Sequence, residues 1–194
     1  MQERAPGYEY MSFDDFEELL LDKPEHERWE LLGGRVLRGM VGARWEHKRI
    51  VQNLTVAMMN RFRASGSSCR PFDETFHLRD RSIELNALPD VMVRCGALET
   101  GETYLADPVV IVEVLSDGTG QRDRGEKWQR YQKLPSLRHY VLIQRDRPYV
   151  EAFHRAEVGW SGLAVLEGLD AVLRLPAVEF EMSLAEVYAD VYQA

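Results

Sequence analysis

Two carboxylates interrupt stretches that otherwise read as buried strands. In "PVVIVEVLSDG", Pro108 to Gly118, four consecutive β-branched residues precede Glu113 and Val-Leu follows it. A charged carboxylate in such a run is costly to bury unless it is protonated, paired or bound to a metal. In "ALPDVMV", Asp90 follows Pro89 and opens another apolar run, Val91 to Val93. The spacing of 23 residues from Asp90 to Glu113 is about the length of a loop and a return strand. If the two strands are neighbours, both acids can lie near one end of the sheet. With a backbone carbonyl and water they make a hard oxygen site suited to magnesium or manganese.

The elements that must position these acids are legible from patterning. Ser12 followed by Asp15 resembles a capping box and opens a helix over 13–21. "RWELLGGRVLRG" reads as a hairpin turning at Gly33-Gly34. From Trp45 to Arg63, Ile50, Val51, Leu54, Ala57, Met58 and Phe62 share one side of a long helix. Strands are expected over 69–78, 82–85, 88–94 and 109–115. After the loop "SDGTGQRDRG" comes a helix from Asp123 to Lys133, stopped before Pro135. "RHYVLIQ" and "YVEAFHR" form a further hairpin, "GLAVLEG" a weaker strand, and Ser183 with Glu186 caps a short final helix. The order predicts one α/β or α+β domain over 1–194, a mixed sheet flanked by helices.

The chain of 194 residues has a net charge of -8. The deficit sits at the ends, with -7 over 1–30 and -6 over 150–194, while 31–149 carries +5. An acidic total can therefore hide a basic working face. No apolar run approaches the ~20 residues that span a bilayer. "MQERAPGYEY" lacks the apolar centre of a secretory signal, so the expected location is cytoplasmic. Cys69 and Cys95 have no zinc-ligand spacing and are expected as small core or edge residues rather than a disulfide framework. Ser116 and Thr119 lack a Gly-x-Ser-x-Gly elbow, and "GTGQRDRGEK" lacks the Gly-Lys-[Ser/Thr] of a phosphate-binding loop.

Several motifs occur together in one order: "RWELLGGRV" at 28–36, "EHKRIVQNL" at 46–54, "PD" at 89–90, "VVIVEVLS" at 109–116, "DRGEKWQRY" at 123–131 and "LRHYVLIQ" at 137–144. In this order they resemble the PD-(D/E)XK nuclease superfamily, and within it the restriction-endonuclease-like Uma-two family. The resemblance implies a restriction-endonuclease-like fold and a Mg2+- or Mn2+-dependent endonuclease acting on nucleic acid, in first place double-stranded DNA. It makes Asp90 and Glu113 the metal-binding acids, with the carbonyl of Val114 and the carboxylate of Glu30 as further ligands. The superfamily's lysine stands two residues after the glutamate, where this chain has Leu115. The resemblance points to Lys127 as its substitute, reaching in from the next helix. Spacing alone also allows Lys127 to be a surface lysine paired with Asp123 at i, i+4.

Tyr131 continues the face of Asp123 and Lys127, as packing with an accessory place at the site. Glu30 can equally be a solvated hairpin residue. His47 lies on the inward side of the long helix, either as a hydrogen-bonded core residue or as a phosphate contact or proton carrier near Glu30. Arg44, Lys48 and Arg49 at one helix start, and Arg122, Arg124 and Arg130 around the other, are the candidate phosphate contacts. Such enzymes often cut duplexes as two-fold dimers, which makes a homodimer an expectation. Two other readings stay open: a catalytically inactive nuclease fold that binds nucleic acid or protein, and an unrelated acidic module in which an arginine neutralises Glu113.

Overall fold

The computed structural model describes residues 10–40, 42–116 and 123–192. Helix α1 (Phe13–Leu21) leads into the hairpin β1 (Glu27–Leu32) and β2 (Arg35–Met40). Both turn residues, Gly33 and Gly34, have positive φ, as a tight two-residue hairpin requires. The long helix α2 (Trp45–Ala64) follows. Next come β3 (Cys69–Asp73), β4 (His77–Asp80), β5 (Leu85–Ala87), β6 (Val91–Cys95), β7 (Tyr104–Leu105) and β8 (Val110–Leu115). A π-helical turn, Asp123–Lys127, runs into α3 (Trp128–Tyr131). The chain ends through β9 (His139–Gln144), β10 (Tyr149–His154), β11 (Ala164–Glu167), β12 (Val172–Leu175), β13 (Phe180–Ser183) and α4 (Leu184–Val187).

The fold is α+β with mixed sheets. One sheet has the order β11-β10-β9-β8-β6-β3, a second β2-β1-β5-β4-β7, and β12 pairs with β13 alone. In the first sheet β8 and β9 are parallel, and the other pairs are antiparallel. Residues on β8 alternate between two cores. Val110, Val112 and Val114 pack with Ile50, Leu54 and Met58 of α2. Ile111 and Leu115 join Tyr131, Tyr140, Leu85 and Leu32 on the other side. Glu113 falls between Ile111 and Leu115 in this alternation, so it faces α3 and the second sheet.

Several boundaries differ from the sequence reading. The strand expected over 69–78 is broken by a turn in which Asp73 accepts from the backbone N–H of Thr75. The stretch 82–85 is mostly a 3-10 turn, Arg81–Ile83, whose backbone then turns left-handed at Glu84 (φ 50°). The helix after the loop is shorter than expected and opens as a π turn. The β12–β13 pair was not anticipated, because each strand has only four residues. The cysteines also need correcting: Cys69 and Cys95 form a disulfide. They are direct partners in the β3–β6 register, a proximity that their separation of 26 residues conceals. Among the described residues no helix is long and apolar enough to cross a membrane.

Candidate active site

The first sheet splits at Asp90, and the split creates the site. Pairing between β6 and β8 stops at Val91 opposite Val112. Beyond it the chain passes through Pro89, which has no N–H, into β5 of the other sheet. The N–H of Val114 therefore lacks a ladder partner on that side, and it donates to Asp90 Oδ2 at 2.7 Å. A second carboxylate does the same on the other bank: Glu30 Oε1 accepts from the N–H of Leu88 at 2.9 Å, just past the end of β5. Two acids thus replace backbone acceptors where the sheets part, which satisfies buried donors and fixes both carboxylates.

Glu113, only 2% exposed, is paired. Lys127 Nζ donates to its Oε1 at 2.9 Å, and the Tyr131 hydroxyl donates to the same oxygen at 3.1 Å. Lys127 also lies 3.4 Å from Asp123 Oδ1 and 3.6 Å from Glu30 Oε1. The ammonium is therefore shared by three buried acids rather than held by Asp123 on the surface. Trp128, one residue further round, stacks on Tyr140 and Phe153 and anchors α3 against β9 and β10. Tyr140 donates to the carbonyl of Asp123 at 2.8 Å, satisfying an acceptor of the π turn. π turns of this kind widen a helix locally and are frequent at functional sites. Here the turn buries Asp123 and Lys127 together.

Asp90 Oδ2 also meets His47 Nε2 at 3.1 Å. A carboxylate can only accept, so Nε2 carries the proton. Burial alone would raise Asp90, but the hydrogen bond and charge of His47, with Lys127 and Arg28, hold it below the ordinary carboxylate range. Glu113 moves the other way: burial pushes it up to about 8, with Lys127 pulling back and Asp123, Asp90 and Glu30 adding repulsion. Burial would lower Lys127, yet Glu113, Glu30 and Asp123 keep it well above its usual value and charged. Two neighbouring carboxyls with opposed shifts mark the cleft as a candidate for acid–base or metal chemistry.

These groups line a cleft of about 760 Å³ between the two sheets. Of the sequence candidates, Glu30, His47, Asp90, Glu113, Val114 and Lys127 line it, as do Arg44 and Lys48. Tyr131 lies behind Glu113. The structure does not bring the remaining described arginines to the cleft. Arg49 sits 3.9 Å from Asp190, Arg124 forms a two-pronged pair with Glu151, and Arg130 lies over Gly33. Arg122 falls outside the described residues.

Sequence reasoning missed Arg28, Glu74 and Arg145, which also line the cleft. Arg28 sits two residues before Glu30, on the same strand face, and lies 3.7 Å from it. That alternation could have found it. Arg145 follows β9 directly, at the carboxyl end of a parallel pair where ligands of open sheets gather. Glu74 sits in a turn, and no pattern announced it.

Comparison with known proteins gives the family and the fold. Residues 13–186 match the family Uma2, described as "Putative restriction endonuclease". An uncharacterized protein of Synechocystis sp. is 24% identical over 156 residues, 80% of each chain. A solved structure, described as a putative nuclease belonging to DUF820 from Anabaena variabilis, superposes with a TM-score of 0.73 at 18% identity. That likeness covers 92% of this chain and 98% of the other, and at such identity it speaks for the fold alone.

Proposed function

The chain belongs to the Uma2 family, and on that premise we propose that it is a divalent-metal-dependent endonuclease hydrolysing phosphodiester bonds, with DNA as substrate. The observation that carries this reading is how the two acids divide their oxygens. Glu113 receives both its hydrogen bonds on Oε1, and Asp90 both of its own on Oδ2. Among the described residues no hydrogen bond reaches the other oxygen of either acid, so each offers one hard donor to a cation. This donor chemistry fits Mg2+ or Mn2+, with the carbonyl of Val114 and Glu30 as further ligands. When bound, such an ion supplies Lewis acidity and a more acidic water.

The chain's own residues supply the rest. Glu113 and Tyr131 aim the Lys127 ammonium into the cleft, where it stabilises negative charge that builds on the phosphate oxygens during attack. Lys127 thereby takes the place of the lysine absent at Leu115. His47, oriented by Asp90, can carry a proton. Arg28, Arg44 and Lys48 border the cleft as contacts for flanking phosphates. Two copies related by a two-fold axis would present one cleft to each strand of a duplex.

The competing reading, an inactive nuclease fold that binds nucleic acid, draws on Lys127 being held by three acids. Fluorescent duplex DNA, single-stranded DNA and RNA incubated with Mg2+ or Mn2+ separate the two. The proposal expects product from a DNA substrate, abolished by chelation. Binding without product on all three, in either metal, would favour the inactive reading.

A further inference from the structure

One group in the cleft remains outside this scheme. Glu74, at the end of β3, brings a carboxylate oxygen to the same point as His47 and Asp90. One potential ligand atom from each of the three residues lies within 4.8 Å of the others. The register explains the meeting: Asp73 is paired with Val91, so the next residue on each strand, Glu74 and Asp90, emerges at the same end of the pair. His47 reaches them from the first turn of α2.

A second observation concerns His47 itself. It is only 7% exposed and lines the cleft. Its Nε2 donates to Asp90, yet its Nδ1 is buried with no hydrogen-bond partner among the described residues. The ring is thus held at Asp90 through Nε2 alone, and an ion placed between these groups takes that nitrogen by displacing its proton.

We propose that His47, Glu74 and Asp90 form a mixed nitrogen–oxygen site for a divalent first-row transition ion, beside the Asp90–Glu113 position and sharing Asp90 with it. Imidazole is a poor ligand for magnesium and a good one for transition ions, so the histidine sets the preference. The inference rests on the endonuclease reading for the ion's purpose, but its existence can be tested by binding alone. Without the ion, Glu74 is neutralised by Lys48, with which it forms a close ion pair, and by Arg28 at 3.8 Å. The Lys48 side chain is 42% exposed and can swing into solvent when an ion arrives. Lys48 is thus a competitor for Glu74, and removing it should tighten the site.

The test uses the full chain, stripped with chelator and titrated with Mn2+, read by calorimetry and by pulsed electron paramagnetic resonance. The wild type is expected to bind Mn2+ with coupling to an imidazole nitrogen. His47→Gln should lose that coupling, and Glu74→Gln should weaken Mn2+ binding about tenfold or more. Lys48→Met, which removes no ligand, should bind Mn2+ several-fold more tightly, and Glu113→Gln should keep the nitrogen coupling. Mn2+ bound without nitrogen coupling, or bound equally by Glu74→Gln, would overturn the inference. If Mg2+-dependent cleavage survives such a result, the endonuclease reading stands alone. If nitrogen-coordinated Mn2+ is present and no substrate is cut, that reading fails and this one holds.

Discussion

Lys127 does for Glu113 what no residue of β8 can do, since Leu115 occupies the position from which a strand lysine would reach it. Removing the ammonium leaves Glu113, Asp123 and Glu30 facing one another in a buried space. Breaking such an arrangement by losing one partner typically costs about 3–5 kcal/mol. Lys127→Met should therefore lower the unfolding free energy by roughly that amount in a denaturant titration. Replacing the carboxylate as well, in Lys127→Met/Glu113→Leu, should recover part of the loss, because only Asp123 and Glu30 are then left facing one another. A single variant as stable as wild type would mean that the ammonium is not the partner of these acids. At this scale part was legible: a carboxylate inside a β-branched run must be held by something, and the family resemblance, more than the spacing, pointed to Lys127 as the lysine that reaches the site from the next helix. Glu74 was not legible, because a turn residue carries no periodicity to say which way it points.

Between elements, the register of β3 on β6 does two things at once. It sets Glu74 beside Asp90 at one end and joins Cys69 to Cys95 at the other. A disulfide closing a loop of this size contributes about 3 kcal/mol, so Cys95→Ser, or reduction of the wild type, should lower stability by about that much. Equal stability with and without reductant would argue against it.

The junction of β9, β10 and the turn before β13 carries a pH dependence of its own. His139 Nε2 accepts from the N–H of Ala177 at 3.1 Å, so Nδ1 holds the proton and donates to His154 Nδ1 at 2.7 Å. Burial, with the charge of His154 adding to it, pushes His139 down to about 4. The unfolded chain then binds more protons between the ordinary histidine value and about 4. Stability should be full above about 6.5 and decline as pH falls toward 4. His139→Gln should flatten that part of a urea midpoint-against-pH curve; an unchanged slope would place the titration elsewhere. The main helices, the first hairpin and the strands β8 to β10 were readable because their periodicity is long or their turns are marked. The π turn, the short β12–β13 pair and the disulfide depend on tertiary partners, which a local pattern does not encode.

Across the whole molecule, the chain passes between the two sheets several times, among them between Ala87 and Val91, and side chains from both line the cleft. On the proposed reading, an ion bound there would tie both sheets together and bind only the folded chain. At an ion concentration 100 times its dissociation constant, the stabilisation is about 2.7 kcal/mol. A melting temperature that rises with Mn2+ and returns on chelation is the expected outcome, and no shift at saturating ion would count against a site there. The distribution of charge bears on the cleft as well: the basic middle of the sequence supplies Arg44, Lys48, Lys127 and Arg145 to its lining, beside acids such as Glu25, Glu27 and Glu30 from the acidic first thirty residues.

The most direct test of the central claim is the rate at which supercoiled plasmid is nicked in Mg2+ or Mn2+ by the wild type and by Glu113→Gln, a near-isosteric change whose folding is checked by circular dichroism. The account predicts metal-dependent nicking by the wild type, reduced at least about a hundredfold in the variant, since the substitution removes a ligand and the partner of Lys127. Nicking at an unchanged rate in Glu113→Gln would contradict it.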